Sequence, residues 1–248
     1  MSKVDLERIT AMNPDGVVWL HSSLDDVGIL KDLMSANLPI ITTMRRLPQL
    51  NLPLLREDDV VYATMVVSNF EARGHRRIGI ILRSTKDDYF RSKVDALRKV
   101  AESSQVQVSD SDFFPLSDDD PTGEHQAEAL KAFLESRKGL TGLLVLASTG
   151  IRPVMQLYET EFRDEISRIS IIFNVLDGVP VPALPSGESL ATIFPPLEKM
   201  GEQLVRYLSL EVQKMNHVSA TGETGQSSLR PVPRLIPIFH AGDSLRNV

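Results

Sequence analysis

The stretch from Asp58 to Leu82, DDVVYATMVVSNFEARGHRRIGIIL, constrains the fold more than any other part of the chain. Asp58 and Asp59 stand where an N-cap and a first-turn acid belong. Val61, Met65, Val66, Phe70 and Ala72 follow at roughly helical spacing. Gly74 is placed to take the left-handed position that ends a helix. The run Ile78-Gly79-Ile80-Ile81-Leu82 then reads as a strand buried on both faces. An amphipathic helix feeding such a strand implies a parallel sheet covered by helices on both sides.

The rest of the chain repeats this unit. Ser2 to Met12 is expected to be a helix capped by Ser2 and stopped at Asn13-Pro14-Asp15-Gly16. Val17 to Leu20 and Pro39 to Thr43 read as strands, with a helix over Leu24 to Ala36 between them. Trp19 is read as a core residue. Further helices are expected at 58–73, about 87–103, Thr122 to Glu135, Ile151 to Phe162 and from Pro195 to Leu208, the last extending as far as Met215. Strands are expected at 78–82, 112–115, Leu140 to Ala147, Ile169 to Phe173 and Arg234 to Phe239. Pro237 marks the final one as an edge. Val179 to Ser189 and Asn216 to Pro231 read as loops. Such alternation implies right-handed crossovers and open, doubly wound sheets.

Composition narrows the function classes. The 248 residues suit one two-lobed domain or two small ones. The absence of cysteine excludes disulfides, thiolate catalysis and thiolate metal sites, and fits a reducing cytoplasm. A net charge of −6 makes nucleic-acid binding by this chain's own surface a poor expectation. No apolar run approaches a membrane span, and the N-terminal residues show no export signal. The five histidines have no metal-ligand spacing, and Asp118-Asp119-Asp120 lacks the glycine and glutamate of a calcium loop. No Gly-x-Gly-x-x-Gly, phosphate loop or Gly-x-Ser-x-Gly elbow occurs, so neither enzyme nor cofactor is expected.

Asp58, fifteen intervening residues and then Gly74-His75-Arg76-Arg77-Ile78-Gly79 resemble the effector-binding domain of the LacI/GalR family of bacterial transcription regulators. DGVVWLHSSLDD (Asp15 to Asp26), SRISIIFNV (Ser167 to Val175), SLATIFPPLEKMGEQLVRYL (Ser189 to Leu208) and RLIPIFHAGDSL resemble further family blocks, in family order. The resemblance implies a two-lobed, periplasmic-binding-protein-like α/β fold, with parallel doubly wound sheets joined by hinge crossovers. It places residues 1–74 plus 194–225 in the N-terminal lobe and 75–193 plus 226–248 in the C-terminal lobe. Family members carry a helix-turn-helix, a hinge and a strand–helix–strand ahead of the position of Ser2. The chain as written is therefore expected to reach DNA only through a helix-turn-helix that it does not contain. Its first lobe is expected to be incomplete, or completed by a partner.

Ligands of open α/β sheets sit outside the carboxyl ends of strands. That rule selects His21, Ser22, Arg45, Tyr89, Arg91, Ser148, Thr149 and Asn174. The resemblance adds detail. Arg91 is nearest to the family's effector-binding arginine but two residues out of register, and Tyr89 occupies the aligned slot. Ser148-Thr149 align with the family's Asn-Asp, and Phe173-Asn174-Val175 with its Gly-Phe-Asp. Val175 thus replaces an aspartate that accepts sugar hydroxyls, and Tyr62 stands where the family has glycine. Several of these residues have a plainer alternative. His21 is either a loop residue or a ligand contact, and Arg91 either an exposed helix charge or a contact. Ser148 and Thr149 either cap the helix at Ile151 or touch ligand. His75 reads as a cation at a helix C-terminus.

The resulting expectation is the effector-binding and dimerisation domain of a LacI-like regulator. It would bind a sugar or related metabolite in the interlobe cleft, work as a homodimer in the cytoplasm and have no membrane partner. The alternatives are a sugar-binding solute receptor of the same fold, or a degenerate regulator without a ligand.

Overall fold

The structure, a computed structural model, describes residues 3–20, 24–117, 119–120, 125–175, 183–184, 187–221 and 231–248. It divides into two compact units, residues 1–57 with 196–235, and residues 58–195 with 236–248.

The first unit contains α1 (Lys3–Ala11), β1 (Val17–Trp19), α2 (Val27–Ser35), β2 (Ile40–Thr43) and β3 (Leu54–Leu55). The three strands are parallel, in the order β1-β2-β3. Leu30 and Leu33 of α2 bury against Ile40, Leu47 and Leu50. Trp19 packs on this cluster and donates through Nε1 to Asp26 Oδ2 at 3.2 Å. The expected helix over Leu24 to Ala36 opens instead with a 3-10 turn at Leu24–Asp26.

In the second unit, α3 (Asp59–Glu71) precedes β4 (Ile78–Leu82), α4 (Asp88–Ala101) and β5 (Phe113–Pro115). Then come α5 (Ala127–Ser136), β6 (Gly142–Val145), α6 (Ile151–Tyr158), α7 (Arg163–Ile166), β7 (Ser170–Asn174) and β8 (Ala191–Phe194). The chain returns to the first unit for α8 (Leu197–Thr221) and ends in the second with β9 (Ile238–His240). The six-stranded sheet has the order β5-β4-β6-β7-β8-β9, parallel except for the antiparallel β8–β9 pair, with β9 at an edge. From β4 the chain runs outward to β5 and then returns to the other side as β6. The topological switch point therefore lies between the carboxyl ends of β4 and β6.

The Asp58–Leu82 stretch folds as its pattern dictates. The Asp58 carboxylate accepts from the amides of Val60 and Val61 at 2.9 and 3.0 Å and caps α3. Gly74 has φ +87°, and His75 N donates to Phe70 O while Gly74 N donates to Glu71 O. This pair of bonds is a Schellman motif, which satisfies carbonyls at the helix end. All five residues of β4 are buried. Helix α3, which the sequence reading put in the first unit, falls in the second, where it contacts α4 and its Tyr62, Val66 and Phe70 are buried.

His75 is not an exposed helix-end cation. It is 1% exposed and bridges Thr141 Oγ1 (3.0 Å, Nδ1) and the Arg246 carbonyl (2.9 Å, Nε2). A carbonyl can only accept, so Nε2 carries the proton and Nδ1 accepts from the Thr141 hydroxyl. Burial lowers the imidazole pKa, a lowering that Arg73 reinforces and the Arg246 bond opposes.

Other elements differ from expectation. Of residues 151–162 only Ile151–Tyr158 are helical, as α6, and α7 begins beyond them at Arg163. The Thr160 hydroxyl accepts from the Phe162 amide and offers the backbone a local alternative to the helix. Helix α8 continues through Asn216 to Thr221, so part of the expected 216–231 loop is helical. Strand β9 is shorter than the expected Arg234 to Phe239, and Leu235 makes only an isolated bridge to Glu57. Strands β3 and β8 were not expected. The Ser2 cap, the start of the helix expected from Thr122 and much of the expected 179–189 loop lie outside the described residues.

Candidate functional site

Two side chains, Tyr89 and Asn174, meet at the carboxyl ends of β4 and β7, and a third, Thr149, lies in the turn that follows β6. Tyr89 is brought there by the first turn of α4, whose cap Asp87 accepts from the Tyr89 amide at 2.9 Å. Asn174 is the last residue of β7 and is 7% exposed. Its Nδ2 donates to the Leu146 carbonyl, just past β6, at 3.0 Å and to the Tyr89 hydroxyl at a long 3.4 Å. Thr149 lies in the 3-10 turn Ser148–Gly150 that leads from β6 into α6.

The chemistry that this leaves open is specific. Asn174 Oδ1 and Thr149 Oγ1 are buried and have no hydrogen-bond partner among the described residues. Buried polar groups are normally satisfied, because leaving one unmade costs about 1–3 kcal/mol. Two such atoms at strand ends beside a topological switch point can receive a ligand that brings hydrogen-bond donors. Val175, next to Asn174, is buried and its amide donates to Ile193 O at 3.0 Å, so it adds an apolar wall and no acceptor side chain. Among the described residues, no group of three or more His, Cys, Asp or Glu could hold a metal ion. Among them, too, no helix is long and apolar enough to cross a membrane.

No protein-family profile matches the chain, and no curated protein matches it by sequence. Solved structures do. The transcription regulator CcpA of Lactococcus lactis is 18% identical, with 98% of this chain and 83% of that one covered at a TM-score of 0.71. A complex of the transcriptional regulator CelR with cellobiose is 18% identical, covering 98% of this chain and 71% of that one at 0.67. A sugar-binding transcriptional regulator of the LacI family from Escherichia coli, complexed with phosphate, is 15% identical, covering 98% and 81% at 0.66. The chain has the fold of the LacI-family regulators.

Within this LacI-type fold the structure sorts the residues selected from the sequence. Tyr89, Thr149 and Asn174 lie at the strand ends of the second unit, with Ser148 beside them, exposed. The capping alternative for Ser148 and Thr149 is not met, since the cap residue of α6 is Gly150 and no side chain caps that helix. Arg91 is exposed and donates to Asp88 Oδ1 on its own helix at 3.1 Å, which is the plain surface-charge reading. Arg45 belongs to the first unit, in the loop after β2 that follows Met44 at φ +66°. His21 and Ser22 lie outside the described residues.

Sequence reasoning missed two participants. The Leu146 carbonyl that orients Asn174 is a backbone group and leaves no signal in side-chain chemistry. Lys93 is fully buried on α4 against Tyr62 and Tyr89. Its signal was present, because Phe90, Val94 and Leu97 form an apolar stripe that a lysine at 93 interrupts.

Proposed function

We propose that this chain is the effector-binding and dimerisation part of a LacI-like DNA-binding transcriptional regulator, with its effector seated at the carboxyl ends of β4, β6 and β7. The observation that carries the reading is the pair of unpartnered buried oxygens, Asn174 Oδ1 and Thr149 Oγ1, at the strand ends where this fold class takes its ligands. The similar structures crystallised with cellobiose and with phosphate support a small polar effector. The outward-turned Arg91 offers no cation to an anionic ligand and so favours a neutral one, while Val175 supplies no hydroxyl acceptor, so the ligand's donors fall to Asn174 Oδ1 and Thr149 Oγ1.

Cellobiose, D-ribose, D-glucose, adenosine and inorganic phosphate form the first panel, read by thermal shift and titration calorimetry. A ligand at a hundred times its Kd stabilises by about 2.7 kcal/mol, which corresponds to a Tm rise of roughly 5–10 °C for a domain of this size. A neutral sugar or nucleoside is expected to give such a rise, and Asn174→Ala to abolish it. Failure of a broad metabolite panel, with the protein folded, would leave the ligand-free regulator as the better account. Sedimentation of the protein, expected to give a dimer, tests the association separately.

A further inference from the structure

Lys93 is fully buried, and its surroundings are arranged around its charge. Its Nζ lies 3.7 Å from the centroid of the Tyr62 ring and 5.0 Å from that of Tyr89. Asp59 Oδ1, in the first turn of α3, is 3.8 Å away. A buried ammonium is tolerated only where nearby groups balance it, and ring faces together with a carboxylate do so. The attraction acts through the face of the ring, so it resists rotation of the ring away from the cation. Tyr89 sits one helical turn before Lys93 and carries the hydroxyl that accepts from Asn174 Nδ2. Tyr89 also makes an edge-on contact with Phe90, 5.4 Å between centroids. A continuous set of contacts therefore runs from Asp59 through Lys93 and Tyr89 to Asn174.

We infer that Lys93 is a positioning residue for the candidate site: its buried ammonium, between Tyr62 and Tyr89 and beside Asp59, fixes the Tyr89 ring and through it the Asn174 carboxamide. The consequence is chemical selectivity. With Nδ2 anchored to the Leu146 carbonyl and the Tyr89 hydroxyl, the carboxamide cannot flip, and Asn174 presents Oδ1 as a fixed acceptor. The site then prefers a ligand that places an O–H or N–H donor there over one that places only an acceptor. This selectivity rests on the strand ends being the effector site, whereas the positioning by Lys93 can be measured without any effector.

The test is solution NMR of the full chain with labelled tyrosine rings and asparagine side chains, Tyr89→Phe and Asn174→Ala serving to assign the signals. In the wild type, slow ring flipping is expected to give separate signals for the two edges of Tyr89, and the Asn174 side-chain amide is expected to exchange slowly with water. Lys93→Met is expected to merge the ring signals and to speed that exchange by about tenfold, the loss of one desolvated cation–π contact. Lys93→Arg keeps the cation and is expected to stay near wild type, which a purely space-filling role would not produce. Lys93→Gln gives the same reading as Lys93→Met should the latter not fold. Wild-type ring flipping and exchange in the neutral variants, or equal loss in Lys93→Arg, overturns the inference. A positive NMR result with no binding in the metabolite panel would leave Lys93 in its role and remove the effector reading, so the two fail separately.

Discussion

Asn174→Leu distinguishes a residue kept for binding from one kept for stability. The wild-type side chain gives one good hydrogen bond, to the Leu146 carbonyl at 3.0 Å, and one long one at 3.4 Å. Such bonds contribute about 1 kcal/mol net. Against them stands the unpartnered Oδ1, which costs about 1–3 kcal/mol in a residue only 7% exposed. Leucine removes that orphan and strands the Leu146 carbonyl instead, so these two penalties roughly cancel. What remains is the lost bond set against the burial of a similar-sized apolar side chain, about 1.5–3 kcal/mol in favour. Asn174→Leu is therefore expected to lie between neutral and about 2 kcal/mol more stable. Asn174→Ala, which gains no apolar contact, is expected to lose about 1–3 kcal/mol. Urea titration followed by hydrogen exchange of the β6 and β7 amides reads the unit that holds the site. With a urea slope of about 2 kcal/mol per M, the leucine variant shifts the midpoint upward by at most about 1 M. Loss of binding in the metabolite panel should accompany it. A leucine variant destabilised by about 2 kcal/mol or more would show that Asn174 holds the fold together, and the argument from its orphan oxygen would fail.

Arg91→Ala should leave stability within about 0.5 kcal/mol, because the exposed Arg91–Asp88 pair lies on one helix; a large loss of effector binding in this variant would restore the arginine role that the family resemblance suggested. His75 supplies a pH test. Its pKa is lowered in the folded state, mainly by burial, so the unfolded chain takes up the proton first. The stability it confers is complete above the ordinary histidine pKa of about 6.5 and falls as pH drops from there toward the lowered folded value. The slope from this one group is at most about 1.4 kcal/mol per pH unit, and it should disappear in Asn- or Gln-substituted protein measured by urea midpoint from pH 7.5 to 5. Gly242→Ala should be destabilised by about 3 kcal/mol or more, since a Cβ there would overlap the backbone of Leu190 and Ala191; a Tm within about 2 °C of wild type would show that this segment can shift.

The parts of the fold that were legible are those in which local chemistry and burial agree. Asp58 has both the right side chain and free amides to cap, and β4 is an unbroken apolar run between two arginines, Arg77 and Arg83. Strand β8 was illegible because Ala191–Phe194 is short and leads straight into Pro195-Pro196, so its pattern merges with the approach to a helix. Only pairing with β7 and β9 identifies it as a strand. The unit boundary at Asp58 was illegible for a similar reason. Nothing in the α3 sequence says whether Tyr62, Val66 and Phe70 bury against the elements before or after them; contact with α4 decides it.

The candidate site was legible as a position more than as a set of roles. The rule of strand ends found Tyr89, Thr149 and Asn174 because it depends on topology, which repeated alternation reveals. It also selected Arg91, because a helix start brings several side chains near a strand end and spacing alone does not say which one faces the sheet. Phe90, Lys93, Val94 and Leu97 face inward, so Arg91 must point away, and its pairing with Asp88 follows from that geometry. The same facing explains Lys93. A lysine in the inward stripe of α4 is accommodated because Tyr62, in the place where the resembling family has glycine, puts a ring 3.7 Å from its ammonium. Tyr62, Lys93 and Tyr89 are thus one arrangement rather than three separate departures, and substituting one of them should change how the other two contribute. A double-mutant cycle between Tyr62→Leu and Lys93→Met, read by urea midpoint, is expected to show coupling of about 1 kcal/mol or more. Additive effects would break the arrangement into unrelated substitutions.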